Sequence, residues 1–286
     1  MKPLVENISD TARWVAVFRA EESERADAVF HDPYARRLAG EKGEQIANAM
    51  EFSRKNSWSF VARTFLFDEF IKQHIDQGFD TIINLAAGLD TRPYRMNLPA
   101  SLKWVEVDLP EIMNYKHTIL ANEKPKCALQ TIQLDLSDKK ARNDLFDRLN
   151  KESKKALIVT EGLIAYLEEK EAGAFAKDLA EQKSFKRWVF DLMSPGLLAM
   201  IEKEMAFQLL KEANVPLKFA PGDGEEFFLR YGWKPIESKS TLKTAGTLNR
   251  LSGELKEYAA LPEPEGPKRA FPWTGVCLLE NIKLTV

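Results

Sequence analysis

The chain has 286 residues, 44% of them hydrophobic and 29% charged, with 41 Lys and Arg against 43 Asp and Glu for a formal net charge of −2. That length and balance describe a folded protein with a sizeable core. They argue against a nucleic-acid partner, because a phosphate-tracking groove needs a stronger basic bias.

Residues 1–10 lack the apolar core of a signal peptide, and no apolar run is long enough to span a bilayer, so a cytoplasmic protein without membrane contact is expected. Cys127 and Cys277 lie far apart without metal-ligand spacing and are expected as buried thiols, and no metal site is expected.

In chain order, residues 9–40 mix aromatics with arginines, and Asp10 is placed to cap a helix starting at Thr11. A second helix is expected after Asp32, with Pro33 in its first turn, and a third over residues 60–77, ended by Gly78. Short apolar runs then alternate with helical patterns. Strands are predicted at 81–86, 102–107, 129–134, 156–160 and 188–192, with helices at 109–122, 139–150 and 168–182 between them. This alternation predicts a doubly wound parallel sheet with helices on both faces. Beyond Pro195 the rhythm breaks. A helix is expected over 197–213, a helical turn over 225–231 and a strand from Trp233. Two closing runs, 275–279 and 282–286, suggest an antiparallel pair at the sheet edge.

In open α/β sheets ligands bind at the carboxyl ends of the strands, beside the switch in strand order. The first predicted strand runs into Ala86-Ala87-Gly88-Leu89-Asp90, a small-residue turn that lets backbone approach a ligand. The second ends in Asp108, which can accept from two ribose hydroxyls or simply cap the following helix. The third ends in Asp135-Leu136, a polar and an apolar contact suited to an adenine ring, with Asp138 as the cap of the next helix. The fourth ends in Glu161, a carboxylate that needs a cationic ligand or a backbone donor beside it. Four consecutive strands thus deliver polar groups to one edge.

The runs Ala62-Arg63-Thr64, 84–95, Val107-Asp108-Leu109-Pro110, Asp135-Leu136 and Thr160-Glu161-Gly162, with Thr11-Ala12-Arg13 and His31-Asp32-Pro33-Tyr34, resemble the leucine carboxyl methyltransferase family and its bacterial polyketide O-methyltransferase-like branch. The resemblance implies an α/β fold, the Rossmann-like seven-stranded class I methyltransferase sheet, with an N-terminal helical lid. Residues 1–78 then form the lid and lead-in helix. Residues 79–286 form the core, with inserted helices near 196–231, and the whole is one structural unit. It also implies S-adenosyl-L-methionine as methyl donor: Arg63 on its carboxylate, Gly88 beneath it, Asp108 on the ribose, Asp135 and Leu136 on adenine, and Glu161 near the methionine part. The family turn opens with glycine where this chain has Ala86, so Ala86 would replace it in the cofactor turn.

The expected activity is O-methylation of a carboxylate or hydroxyl on a small molecule or peptide. An ionised carboxylate needs no general base, only alignment and exclusion of water. On the acceptor side, Arg13 and Arg19 can clamp a carboxylate or hold the lid by ion pairs, and Tyr166 can contact the acceptor or pack in the core. Of the three histidines, His31 is the candidate base if the acceptor is a phenol or alcohol. Two rival readings share the scaffold: a nicotinamide-dependent oxidoreductase, whose G-x-G-x-x-G is missing two glycines here, and a non-catalytic nucleotide-binding module. Oligomeric state is not legible from the sequence.

Overall fold

A computed structural model describes residues 5, 8–204, 211, 213, 215–262 and 271–283. Four helices open the chain: α1 (Ile8–Ser23), α2 (Ala35–Ala49), α3 (Glu51–Lys55) and α4 (Ser57–Asp76). A regular alternation follows, through β1 (Thr81–Leu85), the short α5 (Arg92–Arg95), β2 (Lys103–Asp108), α6 (Pro110–Ile119), β3 (Ala128–Gln133), α7 (Lys139–Glu152), β4 (Ala156–Thr160), α8 (Glu169–Ala180) and β5 (Phe185–Met193). The last part carries α9 (Pro195–Ile201), β6 (Trp233–Ser240), α10 (Thr241–Thr247), α11 (Glu254–Ala260) and β7 (Thr274–Asn281).

The strands form one seven-stranded sheet in the order β3-β2-β1-β4-β5-β7-β6. β3 through β5 are parallel, as the alternating pattern predicts. The sheet is nevertheless mixed. β7 runs antiparallel to both β5 and β6 and lies between them, so the closing segment is one inner strand and β6 is the edge. The expected pair of closing strands is corrected accordingly, and residues 284–286 lie outside the described residues. The connection from β6 to β7, residues 241–273, is long and carries α10 and α11, so the antiparallel direction is set by where β7 packs rather than by a short turn, and local hydrophobicity does not record it.

Other boundaries also shift. Asp10 sits in the first turn of α1 rather than before it, and its carboxylate pairs with Lys42 at 2.8 Å. α2 begins two residues after Pro33 and is broken at Gly40, whose φ of 59° lies in the left-handed region. The helix expected over 197–213 ends as α9 at Ile201; residues 205–210, 212 and 214 lie outside the described set. The 224–231 segment is a 3₁₀ helix. Asp138 caps α7 as expected, accepting the Ala141 N–H at 3.0 Å.

Side-chain alternation along the strands divides the core. Ile83, Val105, Ile158 and Trp188 face α7 and α8, whereas Ile82, Trp104, Leu157 and Val189 face the α4 side chains Leu66, Phe67 and Phe70. α4 is therefore a sheet-covering helix. A third cluster joins α1 and α2 to α6 through Val17, Phe18, Leu38, Ile46, Ile112 and Met113, and it seats α1 above the carboxyl ends of the strands. Both cysteines are buried free thiols, as expected. No helix among the described residues is long and apolar enough to cross a membrane.

Candidate active site

β1 pairs with β2 on one side and β4 on the other, so the strand order reverses at β1. A cavity opens at their carboxyl ends, as such a reversal predicts. Its floor is the turn after β1, and its roof includes Thr11, Trp14 and Val15 of α1.

The turn is built from unusual backbone. Gly88 has φ 50°, and Ala86 has φ 58°, a left-handed conformation that a Cβ disfavours. Ala86 lines the cavity, so its methyl is accommodated in a strained backbone rather than an ordinary one. The Gly88 N–H donates to Asp108 Oδ2 at 2.6 Å, and the Leu109 N–H donates to Asp108 Oδ1 at 2.7 Å. Asp108 is thus a half-buried cavity residue that also braces the turn, and α6 begins without a side-chain cap. Burial pushes its carboxyl up, while the two N–H donors pull it down.

A dense ionic network lies beside the turn. Arg63 of α4 donates from Nε to Glu161 Oε1 and from Nη1 to Asp191 Oδ2, both at 3.1 Å. Asp191, near the end of β5, also accepts the Gly162 N–H at 2.6 Å. Arg92 reaches Glu161 Oε2 at 2.9 Å, Asp90 at 3.0 Å and Asp68 at 2.6 Å. Arg95 grips Asp68 through both Nη atoms at 2.7 Å. These carboxylates hold the Arg63, Arg92 and Arg95 guanidinium groups charged despite burial. Asp90 is held down at about 2 by Arg92, Lys116 and Arg95 against the upward push of burial, the largest single influence on it.

The carried-over residues divide by position. Arg63, Ala86, Gly88, Asp108, Glu161, Arg19 and Tyr166 all line the cavity. Asp135 and Leu136 do not: Asp135 is exposed and accepts the Ser137 N–H at 2.8 Å, and Leu136 packs toward the α7–α8 core. His31 is exposed and outside the lining. Arg13 also lies outside it, stacked 3.8 Å over the Tyr115 ring and 3.7 Å from Asp10. Arg19 donates to Asp32 at 2.9 Å and to the Leu89 carbonyl at 2.7 Å, tying α1 to the turn. Burial pushes the Tyr166 phenol up, opposed by a hydrogen bond with Thr11 of α1 and the charge of Arg63.

Sequence reasoning missed Asp191, Arg92, Asp90 and Asp68 as members of this cluster. Asp191 follows the same rule as Asp108 and Glu161, a carboxylate at the carboxyl end of an apolar strand. Asp68 carried no such signal, because only the packing of α4 on α5 brings it to Arg92.

Does this donor set suit S-adenosyl-L-methionine? A ribose diol offers two donors, and the methionine part offers an ammonium and a carboxylate. The cavity presents the desolvated Asp108 carboxylate, the Glu161 carboxylate and the Arg63 guanidinium, the complementary charges. At Gly88 an added Cβ would make only an ordinary contact with Ala12 at 3.4 Å, so the left-handed φ of 50° rather than lack of room is what favours glycine there.

The sheet order, with an antiparallel β7 between β5 and β6, is that of class I S-adenosyl-L-methionine-dependent methyltransferases rather than the all-parallel 3-2-1-4-5-6 order of dinucleotide dehydrogenases. A DUF574 family protein from Streptomyces avermitilis shares this fold over 95% of this chain and 97% of its own, with a TM-score of 0.57 at 13% identity. A model of leucine carboxyl methyltransferase matches residues 12–180. A protein from Frankia alni, assigned as an S-adenosyl-L-methionine-dependent methyltransferase, is 30% identical over 279 residues, covering 90% of each chain. One from Parafrankia with the same assignment is 28% identical over 82% of this chain and 79% of its own. The protein is a methyltransferase of the S-adenosyl-L-methionine-dependent class. It belongs to the leucine carboxyl methyltransferase family.

Proposed function

We propose that the chain transfers a methyl group to an ionised oxygen of a small organic acid or peptide carboxylate, with Asp108 on the cofactor ribose, Glu161 on its ammonium and Arg63 on its carboxylate. One observation carries the acceptor class. The described lining contains no histidine, and its carboxylates are already engaged: Asp108 by two backbone N–H groups, Glu161 by two arginines, and Asp90 by Arg92 and Asn84. Taking up a proton would neutralise the carboxylate and weaken the contacts it already makes, whereas a carboxylate acceptor arrives deprotonated.

Bound there, the cofactor would supply an electrophilic methyl on its sulfonium, whose C–S bonding pair would return to sulfur as the C–O bond formed. The work left to the protein is alignment and dryness. Trp14, Val15, Phe60, Ile112 and Leu163 line the cavity and favour an acceptor with an apolar body. Arg13 is not its clamp, since it stacks on Tyr115 outside the cavity, and Arg19 already serves Asp32. The sulfonium would meet the negative charge of the acceptor, and the Tyr166 hydroxyl, hydrogen-bonded with Thr11 of α1, is a neutral group in the lining available to it. The adenine end of the cofactor is proposed to extend beyond this lining to Asp135 and Leu136, just past the carboxyl end of β3. The expected setting is the cytoplasm.

The test is turnover with S-adenosyl-L-methionine against matched pairs of apolar acids and the alcohols of the same skeleton. Methyl ester formation whose rate follows the ionisation of the acid supports the reading. Methylation of the alcohols alone overturns it.

A further inference from the structure

Glu161 is a long side chain at a strand end, and a carboxylate serves as a fixed ligand only if something fixes it. Its two oxygens are divided between two guanidinium groups: Oε1 lies 3.1 Å from Arg63 Nε and Oε2 lies 2.9 Å from Arg92 Nη1. Arg63 is itself shared with Asp191. Arg92 is far more constrained. Its side chain is 3% exposed, its Nε donates to Asp68 at 2.6 Å, its Nη1 also meets Asp90 at 3.0 Å, and its backbone N–H donates to Asp90 at 2.8 Å. Asp68 in turn is clamped by Arg95.

We propose that Arg92 is a positioning residue for cofactor binding, holding the Glu161 carboxylate in the one orientation that receives the cofactor ammonium. This rests on the reading of Glu161 given under Proposed function. The chemistry follows from the fork. A carboxylate has about four lone-pair sites, and two guanidinium contacts, one per oxygen, lock its plane while leaving the remaining sites for a ligand. A planar guanidinium can span Asp68 on one edge and Glu161 on the other; an ammonium is a point charge and serves one of them. The network thus relays the rigidity of α4 and α5 to the end of β4, and the ordering of Glu161 is complete before the cofactor arrives.

The experiment is titration of S-adenosylhomocysteine into the full chain by calorimetry, with Arg92→Lys, Glu161→Gln and the double variant, each checked for folding by thermal unfolding. Each single change is expected to weaken binding about tenfold. The double variant should bind no worse than Glu161→Gln alone, and the acceptor KM at saturating cofactor should stay within about twofold. Losses that multiply in the double variant, or an Arg92→Lys protein that binds normally, overturn the proposal. Should Arg92→Lys not fold, Asp68→Asn decides, because Asp68 lies outside the cavity lining and touches Glu161 only through Arg92. It should weaken binding several-fold in the native background and have no effect when Glu161 is already Gln; equal losses in both backgrounds overturn the proposal. If Glu161→Gln itself binds normally while Asp108→Ala does not, the placing of Glu161 in the cofactor site is overturned instead.

Discussion

Asp108 has two duties at the scale of one residue, and a substitution separates them. Asp108→Ala removes the ribose acceptor and also leaves the Gly88 and Leu109 N–H groups without their partner. The expected outcome is a loss of about 1.5–3 kcal/mol in cofactor binding, with a drop of about 1–3 kcal/mol in stability. Calorimetry and urea unfolding read the two separately; normal binding with lowered stability would reduce the residue to a turn brace. Ala86 makes the opposite case. Its φ of 58° suits glycine, so Ala86→Gly should raise stability by about 1 kcal/mol, measured as a higher urea midpoint at unchanged slope. A lower midpoint would mean that the methyl packs more than it strains. Neither the strain at Ala86 nor the brace role of Asp108 is legible in the residue letters, because both depend on where β2 lies relative to the turn.

The connection between β2 and α6 carries a fully buried ion pair at the scale of elements. Lys116 Nζ lies 2.8 Å from both oxygens of Glu106, with neither side chain exposed. Breaking it by Glu106→Gln should destabilise by about 3–5 kcal/mol, since Lys116 keeps a buried charge without its counter-ion, whereas replacing both with Met should be close to neutral. Burial holds the Glu106 carboxyl up at about 7, with Lys116 pulling it down. Between the ordinary carboxylate range and about 7 the folded state therefore binds more protons than the unfolded one. The contribution of this group then falls as pH rises through that window. Stability measured by urea at pH 5, 6 and 7 should show a descending component in the native protein that is absent from the double Met variant. A second contact joins α8 to the 3₁₀ helix at 224–231: a Cβ on Gly173 would fall 2.4 Å from the Tyr231 ring. Gly173→Ala should cost about 1–3 kcal/mol in stability by displacing that ring, a value that unfolding at constant pH will read.

Cofactor binding and global stability are linked at the scale of the whole molecule, because only the folded chain brings α1, Arg63 of α4, the β1 turn and the ends of β2 and β4 together. S-adenosylhomocysteine at 100 times its dissociation constant should stabilise the fold by about 2.7 kcal/mol, a rise in Tm of roughly 5–10 °C. NAD(H) at the same concentration should give no rise, since the sheet order and the turn are not those of a dinucleotide fold. A shift with NAD(H) alone would reverse the assignment of the cavity. The roof has its own anchor. Arg250, after α10, pairs with Glu22 at 2.8 Å and with Asp27 at 3.1 Å, fixing the end of α1 to the carboxyl-terminal part of the chain.

The sequence by itself determined the alternating strands and helices from β1 to β5 and the row of carboxylates at their ends. These are local signals: hydrophobic runs set by burial on both faces, and a polar residue where each run meets the solvent edge. Arg63 joined Gly88, Asp108 and Glu161 as a group only through the resemblance to the leucine carboxyl methyltransferase family, and the fold lines one cavity with all four. Tertiary structure alone decided the rest. The antiparallel entry of β7 between β5 and β6 depends on pairing partners far away in the chain. Arg13 could not be told from Arg19 by type or spacing; α1 turns one toward Tyr115 and the other toward the β1 turn, a rotation set by its packing on α2 and α4. The arginine–carboxylate network is likewise a product of three dimensions, because Asp68, Asp90, Glu161 and Asp191 lie on four separate segments and meet the Arg63 and Arg92 guanidinium groups only once the sheet has formed.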